Sequence, residues 1–591
     1  MTELTRKRLA LGLVGALLFG LVFVFFVRTM DFSHLRLDDA GYTVNCPFVK
    51  DGLSAANVFA AFAEPGNGAI WMPLTYVSYM VDISLWGGGW AAFHFTNVVL
   101  HALNAVLLFL FLRTLLPRFG CARTSRVACA AFFAALVWAV HPMRAEAVAW
   151  VAARKEEMWT LLALLASLSW LRFLRQGSRV AAGVAFALFL AACCSKPTAM
   201  CFPIWAWLLQ KCAAPERKPR LAAYLPFVLV SVAIGGLTIY SQTNPTEFRQ
   251  IDIYDTSLGW RLLNATVSLG LYLAHLVVPV GIHFDYRAVF EGLPRQTGLG
   301  LTVLGVAALA FAAALWRVRS SNFRRVLVLS AGGFFVSLLP ALGVFGIVGD
   351  HACADRYVYF SAAAASLLLA WFLTRLPCRP VWMGLGLVVL LAGEGVLAWP
   401  VVGSFRNDQT AFSRVLAHDA EHPRALHYLG AEYCAKAGRF EEGLKMIRRS
   451  QELSPRPSTA ATLAYLLAHR GQMGDFDEVR RLGRAVLADP KQDKEGMMLD
   501  ALGVAAIREG KDRNAIAFFS AALSAPRRAH TKSHAMLNLA IALANIGRDA
   551  EALSVLGELR NLRDRWVRNR ALEVSMNIRQ NPRRPRIPWK D

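Results

Sequence analysis

Long apolar runs alternate with short polar stretches over the first two thirds of the chain. A run of about 20 apolar residues is long enough for a helix to cross a bilayer. About eleven runs are expected to be transmembrane helices, at residues 8–27, 90–116, 127–142, 157–174, 179–194, 198–212, 221–240, 299–316, 326–345, 357–375 and 381–402. The pattern therefore predicts an all-α, polytopic membrane domain over residues 1–403.

Short loops rich in Arg and Lys set the orientation of such a domain, because basic loops stay in the cytoplasm. They fall at residues 113–126, 172–179, 211–220, 317–325 and 375–379. Residues 260–282 are also apolar, but a span there would move the loop at 317–325 outward. We therefore expect a re-entrant or surface segment at 260–282. The first run, after TRKR, is interpreted as a retained span with a cytoplasmic N-terminus.

The pattern changes after about residue 404, where apolar runs shorten and helical periodicity with charged faces takes over. A repeat of about 34 residues, the period of tetratricopeptide repeats (TPRs), is visible in about four units. The clearest unit contains Leu502, Gly503, Ala506, Ala515 and Phe519. Small residues let paired helices approach closely, and larger ones fill the space between them. Residues 404–591 are thus expected to form a TPR α-solenoid with a basic C-terminal tail.

Composition agrees with this division. The chain has 591 residues, of which 55% are hydrophobic, and a formal net charge of +23. This is too apolar for a soluble globular protein. Many of the positive charges lie in the basic loops, and the tail NPRRPRIPWKD is suited to anionic lipid head groups. No nucleic-acid-binding motif is present, and the ten cysteines show no metal-binding spacing.

An acidic pair, Asp38 and Asp39, lies in LRLDDAGYTVN (residues 35–45), where the chain leaves the first apolar run. A carboxylate pair can accept a proton from a hydroxyl, bind a metal ion or orient a sugar. A solvated turn is the alternative. The expected topology favours function, because the polar stretches at 141–158, 195–197 and 349–357 reach the same outer face.

Candidate cationic ligands lie in two of these stretches. HPMRAEAVAWVAARKEEM (141–158) contains Glu146, Arg154 and Lys155. Arg154 and Lys155 are candidates to grip a lipid-linked phosphate, although snorkelling anchors explain them equally well. Lys196, between Ser195 and Pro197, needs an anionic partner, either a lipid phosphate or an internal carboxylate.

Two further groups of polar residues are candidates. Asp355 and Arg356 begin an apolar run, preceded by Asp350 and His351, and a paired acid at a helix N-terminus is the alternative explanation. A second group lies at helical spacing in FHFTNVVLHALNA. Its deeper members are expected to bond neighbouring helices, while its outer members are candidates to line a cavity. The outer residues are His94 and Asn97, and the deeper residues are His101 and Asn104.

The order of these motifs resembles a known family. The acidic pair, WMPLTYVSYM, FHFTNVVLHALNAVLLF, HPMRAEAVAWVAARKEE, SKPTAMCFP, ADRYVYF and the repeats follow one another along nearly the whole chain. This is similar to the transmembrane-and-TPR O-mannosyltransferases and their bacterial relatives. These belong to the GT-C superfamily of glycosyltransferases, which use polyprenyl-phosphate sugars.

The resemblance implies an inverting transfer of mannose or a similar hexose to Ser or Thr hydroxyls of proteins. It implies that Asp38 or Asp39 is the catalytic base, with Asp39 preferred. It also implies that Arg154 binds the donor phosphate, with Lys196 as the second candidate. It implies that Asp355 and Arg356 shape the donor site and that the repeats bind the protein acceptor. The host membrane would be the bacterial inner membrane, with the repeats outside. We expect no cofactor and no metal.

Two alternatives remain open at this stage. One is a non-catalytic membrane scaffold whose repeats recruit other proteins, and the other is a GT-C enzyme acting on lipid or cell-wall glycan. Cys46 lies close to the acidic pair and Cys353 lies close to ADRY, and both are expected in an oxidising compartment. Because these two motifs are expected to come together, a disulfide between Cys46 and Cys353 is also predicted.

Overall fold

The computed structural model describes most of the chain, and the fold is given for those residues. The residues outside the description are 1, 64–69, 123–124, 218–220, 244–256, 288–293, 319, 345–352, 377–379, 437, 489–492, 494–495, 526–528, 562–563, 581–584 and 589–591. Asp350, His351 and parts of the basic loops and of the basic tail thus lie outside the described residues.

The described residues form helices joined by loops and turns, with no strand among them. The all-α fold class predicted from the sequence is confirmed. The chain divides into two compact units, Met1–Arg414 and Val415–Asp591. The first unit carries the long apolar helices, and the second consists of shorter amphipathic helices.

Sixteen α-helices are described in the first unit before the segment that leads to the second. They are α1 Glu3–Phe26, α2 Asp39–Tyr42, α3 Ala55–Ala63, α4 Pro73–Trp86, α5 Trp90–Leu115, α6 Ser125–Val140, α7 Ala145–Ala149, α8 Arg154–Gln176, α9 Arg179–Ser195, α10 Phe202–Ala213, α11 Leu221–Thr243, α12 Leu258–Val277, α13 Pro294–Arg317, α14 Ser321–Leu338, α15 Tyr359–Arg375 and α16 Pro380–Ser404. Short 3₁₀ turns join several of them, including Val151–Ala153 and Asp355–Val358.

Eight of the described helices are long and apolar enough to cross a membrane: α1, α5, α8, α11, α13, α14, α15 and α16. A ninth results if α6 and the turn and helix that follow it, bent by 60°, are taken as one broken span. The predicted spans at 179–194 and 198–212 correspond to helices of 17 and 12 residues, which are short for a bilayer. Helix α12, over the segment expected to be re-entrant, is not among the eight.

Close helix packing in the first unit depends on small residues. Helix α5 packs against α1, α6 and α8, and α12 packs against α13. At Gly300 of α13, a Cβ atom would lie 2.6 Å from the carbonyl oxygen of Val267 in α12. A side chain at position 300 would therefore push the two helices apart.

The end of the first unit folds back onto its first loop. The backbone N–H and the Nε of Arg36 donate to the carboxylate of Asp408, at 2.9 and 2.7 Å. The backbone N–H of Ser33 donates to the carbonyl of Arg406 at 3.0 Å. Further on, Arg414 Nε donates to the carbonyl of Ile282 at 2.6 Å. The segment after α16 therefore holds two loops of the membrane unit.

Helix α17, Asp408–His418, runs across the division, and the second unit continues as helix hairpins. Its described helices are α18 Pro423–Cys434, α19 Phe440–Leu453, α20 Pro457–Arg470, α21 Asp475–Leu487, α22 Met497–Arg508, α23 Asp512–Leu523, α24 Ala529–Asn545, α25 Asp549–Glu558 and α26 Arg565–Gln580. Helices α18 to α25 pack in four consecutive pairs. A Cβ at Gly430 would lie 2.8 Å from the carbonyl oxygen of Gly443, so α18 and α19 touch through their backbones. The pairs fall where the sequence repeats; their identity as TPRs stays a prediction.

Candidate active site

The first polar loop is fixed in place by the carboxylate of Asp39. Its Oδ2 accepts the backbone N–H of Leu35 and its Oδ1 accepts that of Ala152, both at 2.8 Å. Asp39 is 1% exposed, and this burial raises its pKa to about 7, against the effect of the two N–H donors. The loop is thereby tied to the turn at 151–153, directly before α8.

Asp38 has a more open environment than its neighbour. It is half-buried, and its side chain makes no hydrogen bond to the first turn of α2. Its charge acts on the ammonium group of Lys155 and on the phenol of Tyr42. Lys155 Nζ lies 4.7 Å from the centroid of the Tyr42 ring. An acid and a cation thus meet beside one aromatic ring.

Lys155 is buried but lacks a direct counter-ion among the described residues. It is 6% exposed, and no carboxylate in the described part of the chain lies within ion-pair distance of its Nζ. A buried ammonium group without a close carboxylate favours the binding of an anion. Arg154, Lys196 and Arg356 each form an ion pair with a carboxylate. Compared with these three cations, Lys155 is therefore better placed to receive a phosphate.

Arg154 opens α8 with a guanidinium that is completely buried and fully engaged. Nη2 forms an ion pair with Asp82 Oδ2 at 2.6 Å and donates to the carbonyl of Phe93 at 2.8 Å. Nε donates to Asn97 Oδ1 at 2.8 Å, and the group lies 4.3 Å from the centroid of the Tyr79 ring. These contacts occupy the donors that the sequence analysis assigns to a lipid phosphate. They fix the start of α8 against α4 and α5.

Asp82 is the residue of this site that the sequence analysis missed. Its Oδ1 accepts the hydroxyl of Thr96 at 2.7 Å, while its other oxygen faces Arg154. The signal was a lone carboxylate in the apolar stretch PLTYVSYMVDISLW, which needs a cation when it is buried. Only the packing of α4 against α5 and α8 identifies that cation as Arg154.

Two more side chains fix the turn whose backbone N–H donates to Asp39. The hydroxyl of Tyr79 donates to the carbonyl of Val151 at 2.8 Å. The amide of Asn97 donates to the carbonyl of Trp150 at 3.3 Å. Asn97 is fully buried in these contacts, so its expected place on a cavity wall is wrong. The carbonyl groups of the turn at 150–153 are therefore bound by Tyr79 and Asn97, and one of its N–H groups is bound by Asp39.

The partner of Lys196 is an internal carboxylate, which was predicted from the sequence as the alternative to a lipid phosphate. Lys196 forms an ion pair with Glu156, whose second oxygen accepts the indole N–H of Trp159 at 2.9 Å. Its Nζ also lies 4.8 Å from the centroid of the Tyr357 ring. This links the end of α9 to the first turn of α8 and to the turn before α15.

Arg356 and Glu146 form a third buried ion pair. The backbone N–H of Arg356 also donates to Glu146 Oε2 at 2.8 Å, and its guanidinium donates to the hydroxyl of Tyr357 at 3.2 Å. The guanidinium carbon lies 4.9 Å from the centroid of the Trp150 ring. Arg356 thus reaches the turn whose backbone N–H donates to Asp39.

Asp355 holds the end of α12 and the segment that follows it. It accepts the hydroxyl of Tyr286 at 2.8 Å and lies 3.4 Å from Nδ1 of His275. The neighbouring backbone N–H of Ala354 donates to the hydroxyl of Tyr272 at 2.9 Å. Asp355 and Arg356 are adjacent in sequence, but they organise different sides of the site.

The polar residues of α5 pack within the helix bundle. His94 is 1% exposed and packs edge-on against Phe32, so its ring is not accessible to a substrate in this structure. His101 bonds the carbonyl of Ala139 at 3.0 Å, and Asn104 donates to the carbonyl of Glu157 at 2.9 Å. The contacts expected between neighbouring helices are confirmed for His101 and Asn104.

Cys46 and Cys353 do not form the predicted disulfide. Both are buried and both are thiols in the structure. Burial raises the pKa of the Cys353 thiol well above its usual value, so the thiol stays protonated and unreactive.

Within the described part of the chain, no group of three or more His, Cys, Asp and Glu side chains is arranged to hold a metal ion.

Comparison with known proteins adds independent information. Protein O-mannosyl-transferase F38B6.6 of Caenorhabditis elegans is 24% identical over 351 residues, which cover 57% of this chain and 48% of that protein. Protein O-mannosyl-transferase TMTC1 of Mus musculus is 34% identical over 173 residues, or 28% of this chain and 17% of that protein. The TMTC1 protein of Homo sapiens is 32% identical over the same length.

The matches span about half the length of the nematode relative and less of the mammalian ones. No family model matches the chain. Partial coverage and low identity indicate distant relationship. An all-helical chain with several apolar helices of membrane-spanning length is thus similar, at a distance, to proteins named protein O-mannosyl-transferase.

Proposed function

We propose that the chain is a membrane glycosyltransferase that moves mannose or a similar hexose from a polyprenyl-phosphate donor to Ser or Thr hydroxyls of a protein. The observation that carries the proposal is the bond between Asp39 and the N–H of Ala152. It brings the acidic pair to the start of α8, where Lys155 lies. The names of the distant relatives support the same class of reaction.

In this proposal Asp38 is the general base and Asp39 positions it. A serine or threonine hydroxyl is a weak nucleophile until a base accepts its proton. Both oxygens of Asp39 already accept backbone N–H groups, whereas Asp38 is half-buried and its side chain does not cap α2. The contacts therefore favour Asp38, against the preference for Asp39 that the resemblance carried.

Lys155 would stabilise the departing phosphate, with Arg356 and Lys196 beside it. The latter two are each paired with a glutamate, Glu146 or Glu156, so their charge is partly neutralised. Lys155 has no such partner among the described residues. Positive charge at a leaving phosphate lowers the barrier because it favours the transition state over the ground state. The contacts of Arg154 favour a positioning role for it in this proposal.

The proposed arrangement places this site at the non-cytoplasmic face of a bacterial inner membrane. The lipid chain of the donor would lie among the apolar helices, and the helix pairs of the second unit would act as TPRs that bind the acceptor. No metal or other cofactor is required, since lysine and arginine supply the positive charge. The basic loops of the sequence support the orientation.

The test is transfer of labelled mannose from polyprenyl-phosphate mannose to envelope proteins in isolated membranes. Asp38→Asn and Lys155→Met should each lower the rate by at least about 100-fold, because each removes a group that acts on a reacting atom. Asp51→Asn, an exposed acid of the same loop, is the matched control and should keep full activity. Full activity in Asp38→Asn contradicts its role as the base, and full activity in both Asp38→Asn and Asp39→Asn contradicts the proposal as a whole. Transfer to lipid or cell-wall glycan alone contradicts the proposed acceptor.

A further inference from the structure

The second unit binds a non-helical piece of its own chain. Residues 585–588 lie outside the last helix, α26, and pack against the turn between α22 and α23 and the end of α24. The side chain of Ile587 is 3% exposed and belongs to the hydrophobic core of this unit. We call the surface formed by Ile507, Asp512, Asn545 and Arg570 the tail groove.

The tail groove grips the main chain of this segment. The backbone N–H of Ile587 donates to Asn545 Oδ1 at 2.8 Å, and Asn545 Nδ2 donates to the carbonyl of Ile587 at 3.3 Å. Arg570 Nη2 donates to the carbonyl of Pro588 at 2.9 Å. One amide side chain thus satisfies both polar groups of a single peptide residue. Contacts of this kind are available to any peptide, because every residue except proline carries both groups.

Side chains supply the selectivity. The Nε and Nη2 of Arg586 meet the two carboxylate oxygens of Asp512, each at 3.0 Å, and Nη2 also donates to the carbonyl of Ile507. A forked contact of this type fits arginine and not lysine. The next residue, Ile587, is an aliphatic anchor in the core. The groove therefore recognises an arginine followed by an aliphatic residue.

We propose that the tail groove is a peptide-binding site and that residues 585–588 are its intramolecular ligand. The occupant is a protein segment in which an arginine precedes an aliphatic residue, and it binds by displacing the tail. This proposal concerns recognition alone and does not depend on the transferase activity. A tethered ligand is present at an effective concentration of about 1 mM. Competition with this tethered ligand would weaken the binding of an identical free peptide roughly tenfold, if the Kd of that peptide for the empty groove is about 0.1 mM.

The test uses the full chain in detergent and a fluorescent peptide with the sequence of residues 581–591, followed by anisotropy. A variant lacking residues 581–591 should bind this peptide at least tenfold more tightly than the intact chain does. Ile587→Asp in the full-length chain releases the tail without shortening it and should show the same gain. A peptide carrying R586E and I587D should not bind.

Matched variants locate the site. In the tail-deleted chain, Asn545→Ala and Asp512→Asn should each weaken peptide binding at least fivefold. Asn514→Ala, an exposed residue on the same helix as Asp512, should leave binding unchanged. Absence of peptide binding to both folded release variants at 1 mM overturns the proposal. Loss of helical structure in both release variants also overturns it, because the tail would then be an integral part of the fold.

Discussion

The ion pair between Arg154 and Asp82 should be necessary for the stability of the fold. A measurement of that stability therefore distinguishes a positioning role of Arg154 from a role as a phosphate ligand. Arg154 is completely buried, and the Asp82 carboxylate is nearly so. Asp82→Asn keeps the shape and the hydrogen bond from Thr96. It nevertheless removes the negative charge from the buried guanidinium. Arg154→Met removes the cation and leaves the carboxylate buried.

The expected cost follows from burial. Removing one member of a buried ion pair costs on the order of 3–5 kcal/mol, because the remaining charge is left without compensation in a medium of low polarity. Each single variant should therefore unfold at a clearly lower temperature. The double variant removes both charges and should cost less than the sum of the two. The coupling between them should be at least about 2 kcal/mol.

Thermal unfolding of the purified chain in detergent, followed by tryptophan fluorescence, measures all four forms under one condition. The exposed pair Arg439 and Glu442 provides the control, since ion pairs in contact with solvent contribute little to stability. A thermodynamic cycle at that pair should show almost no coupling. Additive effects of Asp82→Asn and Arg154→Met would refute the positioning role. So would a normal unfolding temperature for Arg154→Met combined with a raised KM for the lipid donor.

Three further predictions test other parts of the molecule. Burial raises the pKa of Asp39 from 3.8 to about 7, so the folded chain keeps a proton that the unfolded chain has released between those values. The free energy of unfolding should therefore fall by about 4 kcal/mol as the pH rises through this window, and thermal unfolding of Asp39→Asn across the same pH range should lack most of that slope. Arg356→Lys should lower transfer at least tenfold in the membrane assay, because an ammonium group cannot replace a planar guanidinium that contacts Glu146 through one nitrogen and the hydroxyl of Tyr357 through another; an unchanged rate would remove Arg356 from the site. Gly503→Ala should destabilise the second unit by about 1–3 kcal/mol in thermal unfolding, because its Cβ would lie 2.5 Å from the ring of Phe519; an unchanged unfolding temperature would show that the ring can move aside.

The apolar pattern was sufficient to predict the fold class but not every span. Runs such as 90–116 and 357–375 correspond to the long helices α5 and α15, because uninterrupted hydrophobicity and length determine a bilayer helix. The runs at 179–194 and 198–212 form shorter helices. Their ends are determined by caps and by a 3₁₀ turn at Pro197–Cys201, which hydropathy does not detect.

Helix geometry explains why the roles of neighbouring charges could not be read from their spacing. Arg154, Lys155 and Glu156 begin one helix, and successive side chains point about 100° apart. They therefore meet three different partners: Asp82, Tyr42 and Lys196. From the sequence, Arg154 and Lys155 were both predicted to bind the same phosphate. The sequence did predict correctly that the acidic pair lies beside this segment, since Asp39 binds Ala152.

The contact of Arg36 with Asp408 has a practical meaning for anyone who dissects this protein. A shortened version that stops at the end of the last apolar helix, Ser404, would lack Asp408 and Arg414. The loop that carries Asp38 and Asp39 would then lose an anchor, and any loss of function would be attributed wrongly to the absence of the second unit. A version that ends after α17 keeps both anchors and allows the two halves to be judged separately.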